Sequence, residues 1–296
     1  MWNLPHGSEI RLFNLTIYDT WNFSASGIPT ITASNLNGEF LKRYHTQYES
    51  LAYIDCTSLE EVAEFSLGLI QQLDEGLLPF SFVPRAEDLR QNLKEEELLA
   101  AGVDAPTVSR LIAALNEFSD NAKVYDAKRA SIPPTRVDVT NKQLLLILKV
   151  LYRGMSAVHE WTGHLHAPHE QVLADTQGIN AAIRALKAEP PDRAGALKAL
   201  EGTGMTPLGI AFSYPVWRQA IEVTDPSRTD LYWASLGKLP YVFDVIPEYR
   251  LIERGEIPLA VNGLEAKRKL ELEQLNRRLA DMSSVLEKVN ALLEEL

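Results

Sequence analysis

Cysteine is nearly absent from this chain of 296 residues, and Cys56 is its only example. One thiol cannot form an intrachain disulfide, so a disulfide-stapled fold is excluded and the redox compartment stays open. Basic residues are also fewer than acidic ones. The chain has 29 Lys and Arg but 40 Asp and Glu, which gives a formal net charge of -11. This balance argues against a general binder of nucleic acid or anionic membranes, since phosphate groups reward clustered Lys and Arg.

Long hydrophobic runs are missing as well. No stretch approaches the roughly 20 apolar residues that span a bilayer. The first ten residues contain no basic segment followed by an apolar run, so they do not resemble a secretory signal. A cytoplasmic location is therefore the default expectation. If upstream sequence is missing from this chain, a targeting signal would be missing too. The length favours about two domains.

The signals for β-strands are confined to the first part of the chain. Ile10–Ile17 and Ile28–Ala33 are rich in β-branched or apolar residues and predict two short strands. Ser58 with Glu61 reads as a capping box that opens a helix over Leu59–Leu73. We therefore assign residues 1–76 to an α/β fragment. Two or three strands and one helix cannot bury both faces of a sheet. Either residues 1–75 pack against the helical domain, or the neighbouring strands belong to polypeptide outside this chain, and we favour the second alternative.

Residues 77–296 are expected to form a second, mostly α-helical domain. Apolar residues recur there at helical spacing, and Gly and Pro separate the segments. The predicted helices are Glu87–Ala101, Ala105–Ala130, Asn141–Val158, Val172–Ala188, Arg193–Leu200, Pro207–Val223, Ile246–Arg254 and Gly263–Leu296.

The most informative motifs occur between Tyr18 and Leu59. They follow the order Asp19, then Gly27-Ile28-Pro29, then Tyr44-His45, and finally Ile54-Asp55. This series resembles the closing part of the catalytic domain in di-zinc exopeptidases of the aminopeptidase and glutamate carboxypeptidase (transferrin-receptor-like) family. The resemblance implies a peptide substrate, two zinc ions in the complete site, and a helical domain that closes the cleft or forms a homodimer.

The resemblance also assigns roles to individual residues. His45 matches the last zinc ligand of the family, and a neutral imidazole suits zinc. Tyr44 matches the residue that, in the glutamate carboxypeptidase branch, donates a hydrogen bond to the tetrahedral oxyanion. Asp19 matches a position beside the floor of the active site and is given only a supporting role. Its other reading is a cap at a turn or strand end.

Most of the metal ligands that the resemblance requires have no counterpart here. They precede the last histidine in the family, whereas the candidates before His45 are His6, Glu9, Asp19 and Glu39, none of them in a ligand motif. One histidine cannot hold a catalytic zinc, so the chain is expected to be inactive alone. It is either truncated or a subunit whose missing N-terminal catalytic half comes from another chain.

Two other hypotheses remain open. The chain could be a non-catalytic helical interaction or dimerisation module with a vestigial peptidase-like segment. Alternatively, the cluster from His159 to His169, which holds four of the six histidines, could bind a metal. A zincin helix needs histidines four residues apart. His159 and His164 are five apart, so the competing interpretation is a polar loop at a helix end.

Overall fold

The computed structural model describes 42–74, 76–155, 157–159, 162–164, 169–201 and 245–296, together with isolated positions near the N-terminus. Nine α-helices account for most of this part of the chain. In chain order they are α1 Cys56–Asp74, α2 Val83–Asn92, α3 Glu95–Ala101, α4 Ala105–Arg129, α5 Val137–Met155, α6 Glu170–Leu186, α7 Arg193–Leu200, α8 Ile246–Arg254 and α9 Ile257–Glu294. Short 3-10 turns occupy Leu51–Tyr53 and Pro134–Arg136.

Local signals explain where several helices begin and end. The Asp104 carboxylate accepts a hydrogen bond from the Thr107 N–H at 2.9 Å at the start of α4, and Asp192 does the same for Gly195 at 2.8 Å before α7. Gly255 ends α8 in the left-handed conformation, with φ of 80°, which costs glycine little. The boundaries predicted for α7 and α8 are therefore correct.

The long helix α9 organises the packing, because it contacts α4, α5, α6 and α8. One core lies among α2, α4, α5 and α9, and a second lies among α6, α7, α8 and the start of α9. All buried side chains in the described part of the chain lie at residue 82 or later. The largest fully buried ones are Phe82, Phe118, Leu98, Leu111, Leu144, Ile147, Met155, Ile179, Leu200, Ile252 and Leu264.

The α/β fragment predicted for residues 1–76 is wrong, because the described part of the chain is almost entirely helical. Extended structure in the described residues amounts to three antiparallel strands of two or three residues: β1 Asn14–Leu15, β2 Ala157–His159 and β3 Thr162–His164. β3 lies between the other two, so β1 pairs with the later region and not with a neighbouring strand of its own. Strand propensity is a weak prior, and segments this short create no sheet face to bury. Most of Ile10–Ile17 and Ile28–Ala33 lies outside the described residues.

Several predicted helix boundaries also change: the helix predicted at Asn141–Val158 is Val137–Met155, and the one predicted at Gly263–Leu296 already begins at Ile257. The predicted helix Glu87–Ala101 is broken between α2 and α3, where Leu93 and Lys94 leave the helical conformation. At the start of α1, Asp55 takes the capping position predicted for Ser58. Its two carboxylate oxygens accept hydrogen bonds from the Thr57 N–H at 3.1 Å and the Ser58 hydroxyl at 2.7 Å. The predicted Pro207–Val223 helix lies outside the described residues.

Candidate functional site

Tyr44 and His45 lie on an exposed turn that Thr46 organises. The Thr46 N–H and hydroxyl both donate to the Arg43 carbonyl, at 2.9 and 2.6 Å. The same hydroxyl oxygen accepts from the Tyr48 N–H at 3.2 Å, which adds a second turn directly after the first. The sequence therefore produces a local turn here because threonine bonds its neighbouring backbone.

His45 has an unusual backbone conformation within this turn. Its φ is 59°, and it is the one non-glycine residue with positive φ in the described part of the chain. The left-handed region costs a non-glycine residue about 1 kcal/mol or more, and such residues concentrate at functional sites. Both side chains are exposed, with their ring centroids 3.9 Å apart. The turn thus presents an imidazole and a phenol side by side.

The turn is connected to α1 by short-range contacts. The Arg43 guanidinium lies 3.8 Å above the ring of Tyr53, a cation–π contact that holds the turn near the 3-10 segment Leu51–Tyr53. Asp55 follows and caps α1. The hydrogen bond from the Ser58 hydroxyl is the main reason why the pKa of the Asp55 carboxyl is lowered. Asp55 therefore has a structural role.

The predicted site residues are only partly brought together. Tyr44 and His45 are in contact, whereas Asp19 lies outside the described residues. No group of three or more His, Cys, Asp or Glu side chains suited to a metal ion occurs in the described part. A structural or catalytic zinc takes at least three protein ligands. The residues that the structure describes therefore do not fit a zinc pair without further polypeptide.

The structure describes three of the four histidines from His159 to His169, and they lie in different elements or at their ends. His159 is in β2 opposite Thr162, and His164 is in β3 opposite Ala157. His169 is 1% exposed at the start of α6, and neither ring nitrogen has a hydrogen-bond partner in the described part. Burial lowers the pKa of His169 to about 4, and the neighbouring backbone of Asn92 acts in the opposite direction. His169 is thus a buried neutral imidazole, and His166 lies outside the described residues.

A buried pair of acidic residues was not predicted from the sequence. Glu271 of α9 is 2% exposed, and its pKa is raised to about 8 by burial first and by the charge of Asp175 second. Asp175 of α6 is also buried. The sequence did contain an indication that Glu271 is buried, because it occupies a position of the apolar stripe that continues through Leu275 and Leu279. Acidic residues at core positions are rarely fully buried, so this one marks a group with altered chemistry.

Comparison with known proteins adds no relative. No protein-family model matches the chain, and no curated protein or solved structure matches it either. Among the described helices, none combines the length and apolarity needed to cross a membrane. The exopeptidase resemblance therefore rests on the sequence motifs alone.

Proposed function

We propose that the chain is the C-terminal part of a zinc-dependent exopeptidase and contributes His45 and Tyr44 to a site completed by polypeptide outside it. The observation that carries the proposal is the turn that presents the two rings, with His45 held at φ of 59°. The Arg43–Thr46 turn holds this exposed histidine in a conformation that is uncommon for residues other than glycine, and such conformations concentrate at functional sites. Asp19 keeps a supporting role in this proposal.

The proposed role of each residue follows from the chemistry of its side chain. The His45 imidazole would serve as one metal ligand, because its ring is exposed and a neutral imidazole binds zinc. The Tyr44 phenol would donate a hydrogen bond to the oxygen of the scissile carbonyl as negative charge develops there. The remaining ligands and the general base would come from the missing N-terminal half. The chain alone is expected to be inactive on peptides.

Complementation tests this proposal. The chain would be co-expressed with the polypeptide encoded upstream of Met1, and release of a terminal amino acid from chromogenic peptides would be measured. We expect activity only when both parts and zinc are present, and its loss in His45→Ala. The same substitution at Gln47, an exposed neighbour in the turn, serves as the matched control and should leave activity unchanged. Full activity of His45→Ala would rule out the assigned role.

A non-catalytic helical interaction module is the second candidate. One observation favours it: none of the described side chains from residue 42 to residue 74 packs against either hydrophobic core. The helical region therefore does not depend on the Tyr44–His45 turn for its packing. Failure of every upstream polypeptide to restore hydrolysis, together with specific capture of a protein partner by the helical region, would favour this function.

A further inference from the structure

One face of α1 is both apolar and acidic. None of the extensive helix–helix contacts in the described part of the chain involves α1. Ile70 keeps 63% of its surface accessible. The exposed residues that recur along this face at helical spacing are Glu60, Ala63, Glu64, Leu67, Ile70 and Asp74, and we call them the acidic face.

α5 has an exposed face of the opposite charge. Its exposed residues are Val139, Lys142, Leu145, Leu146, Lys149 and Arg153, and we call them the basic face. Val139 keeps 57% of its surface accessible. Among the residues that the structure describes, no charged side chain of either face forms an ion pair. Exposed apolar surface rimmed by charge is typical of an interaction site.

A fixed point connects the two helices. Asn141, near the start of α5, donates from its Nδ2 to the Gly76 carbonyl and accepts at its Oδ1 from the Leu78 N–H, both at 2.8 Å. Gly76 follows the last residue of α1 by two positions. These hydrogen bonds therefore hold the end of α1 beside the start of α5.

This anchor fixes the register of an antiparallel pairing between the two helices. Each helical residue adds about 1.5 Å, so a residue of α1 would face the α5 residue that lies equally far from the anchor. The facing pairs are then Asp74 with Lys142, Ile70 with Leu146, and Glu64 with Arg153. In each pair an acidic residue meets a basic one, or an apolar residue meets an apolar one. A register set by hydrogen bonds outside both faces thus brings complementary side chains together.

The connection leaves room for this pairing. Both helices have 19 residues, so each is long enough to cover the other. Asp138, the single acidic residue of α5, precedes the anchor and would lie beyond the end of α1. Gly76 has a φ of 99°, and nothing lies within 4 Å of a Cβ built there, so the chain can turn at this residue. Because the two faces are tethered, exposed ion pairs that are individually weak can hold them together.

We propose that α1 folds back about Gly76 and docks its acidic face on the basic face of α5 in the same chain. The structure shows the open arrangement, in which both faces are exposed. The Tyr44–His45 turn would travel with α1, because the cation–π contact and the helix cap described above connect it to the start of that helix. Docking would therefore bring the turn to the far end of α5. The inference goes beyond the proposed function, and its test uses neither peptide nor metal.

Disulfide trapping tests the docking in the full chain. Cys56→Ser removes the native thiol, and Ala63→Cys with Arg153→Cys places two thiols at facing positions. We expect oxidised glutathione to link them within one chain, at a rate that does not depend on protein concentration. Glu61→Cys with Arg153→Cys is the matched control, because Glu61 is also exposed but points to the opposite side of α1 from Ala63. Its disulfide should form at least about tenfold more slowly, since its Cβ atoms do not come within bonding range.

Charge reversal then tests what holds the two faces together. In the chain with facing thiols, Glu64→Lys with Asp74→Lys should slow the disulfide about tenfold, because attraction becomes repulsion. Lys142→Glu with Lys149→Glu should slow it equally, and all four reversals together should restore the rate. Every substituted side chain is exposed, and circular dichroism checks that the helices are kept.

Three results would overturn the proposal. The first is an equal rate of disulfide formation in the facing pair and the control pair. The second is a product of disulfide-linked dimers, which indicates contact between copies of the chain. The third is a chain with all four reversals that remains as slow as the chains with two.

Discussion

His169 is a buried imidazole that must stay neutral in the folded protein. Its pKa is lowered from 6.5 to about 4, chiefly by burial. The unfolded chain therefore binds more protons than the folded chain between these values. The stabilising contribution is complete above pH 6.5 and is lost as the pH falls through 4. The shift corresponds to at most about 3 kcal/mol.

We expect His169→Leu to flatten the decline in the free energy of unfolding between pH 6.5 and 4, because the variant has no imidazole to protonate. Urea unfolding at several pH values measures this slope. Gln47→Leu changes an exposed side chain that does not titrate and should keep the wild-type slope. An unchanged slope in His169→Leu would show that the buried ring is not the titrating group.

The ionisation of Glu271 makes stability depend on pH in the opposite direction. Its pKa is raised from 4.5 to about 8, so its protonated form is favoured in the folded state. The resulting stability is present below pH 4.5 and is lost as the pH rises through 8. Glu271→Gln keeps the shape of the side chain without the charge. We expect it to raise the free energy of unfolding at pH 9 by up to about 5 kcal/mol, with little effect at pH 4.

Thermal unfolding at both pH values measures this difference. Glu273→Gln changes the same charge at an exposed position of α9 and should alter stability little at either pH. An equal gain from Glu271→Gln at pH 4 and pH 9 would contradict a role for ionisation.

At the scale of the helices, the contact between α5 and α9 depends on Gly154. A Cβ atom there would overlap Cγ2 and Cγ1 of Val285, a stiff β-branched side chain. Helix propensity alone favours alanine over glycine by about 1 kcal/mol. We expect Gly154→Ala to destabilise the protein nevertheless, by about 1 to 3 kcal/mol, because overpacking outweighs propensity.

Gly68 of α1 offers a matched control in urea unfolding, since nothing lies within 4 Å of a Cβ built there. Gly68→Ala should be neutral or slightly stabilising. Equal stability of the two variants would mean that α5 and α9 are not held at the close distance observed.

Helix boundaries were predictable where the determinant is local. Asp192 and Gly255 act through their own neighbouring backbone, so the sequence alone located α7 and α8. The break between α2 and α3 carries no glycine or proline. Leu89 and Leu98 are nine residues apart and would point to opposite sides of one continuous helix, yet both are buried in the same core. Tertiary packing therefore decides that break, and a sequence pattern cannot reveal it.

In the candidate site, too, the locally determined features could be predicted from the sequence and the others could not. The loop expected around Tyr44 and His45 is a turn set by Thr46, which is a local property. The left-handed φ of His45 and the contact between the two rings could not be predicted from residue types. The α/β assignment failed because strands depend on partners elsewhere in the chain. Local composition does not specify those partners.

At the scale of the whole molecule, all the buried side chains among the described residues lie at residue 82 or later, whereas α1 has none. The hydrogen bonds between Asn141 and Gly76–Leu78 survive if the chain starts at Gly76. We therefore expect a chain of residues 76–296 to keep its helical circular dichroism and to unfold cooperatively, within a few degrees of the full-length midpoint. By contrast, ending the chain at Glu287 removes Val289 and Leu293 from the main core and should abolish cooperative melting, although fewer residues are lost. Broad, non-cooperative melting of residues 76–296 would show that the N-terminal region is part of the folding unit.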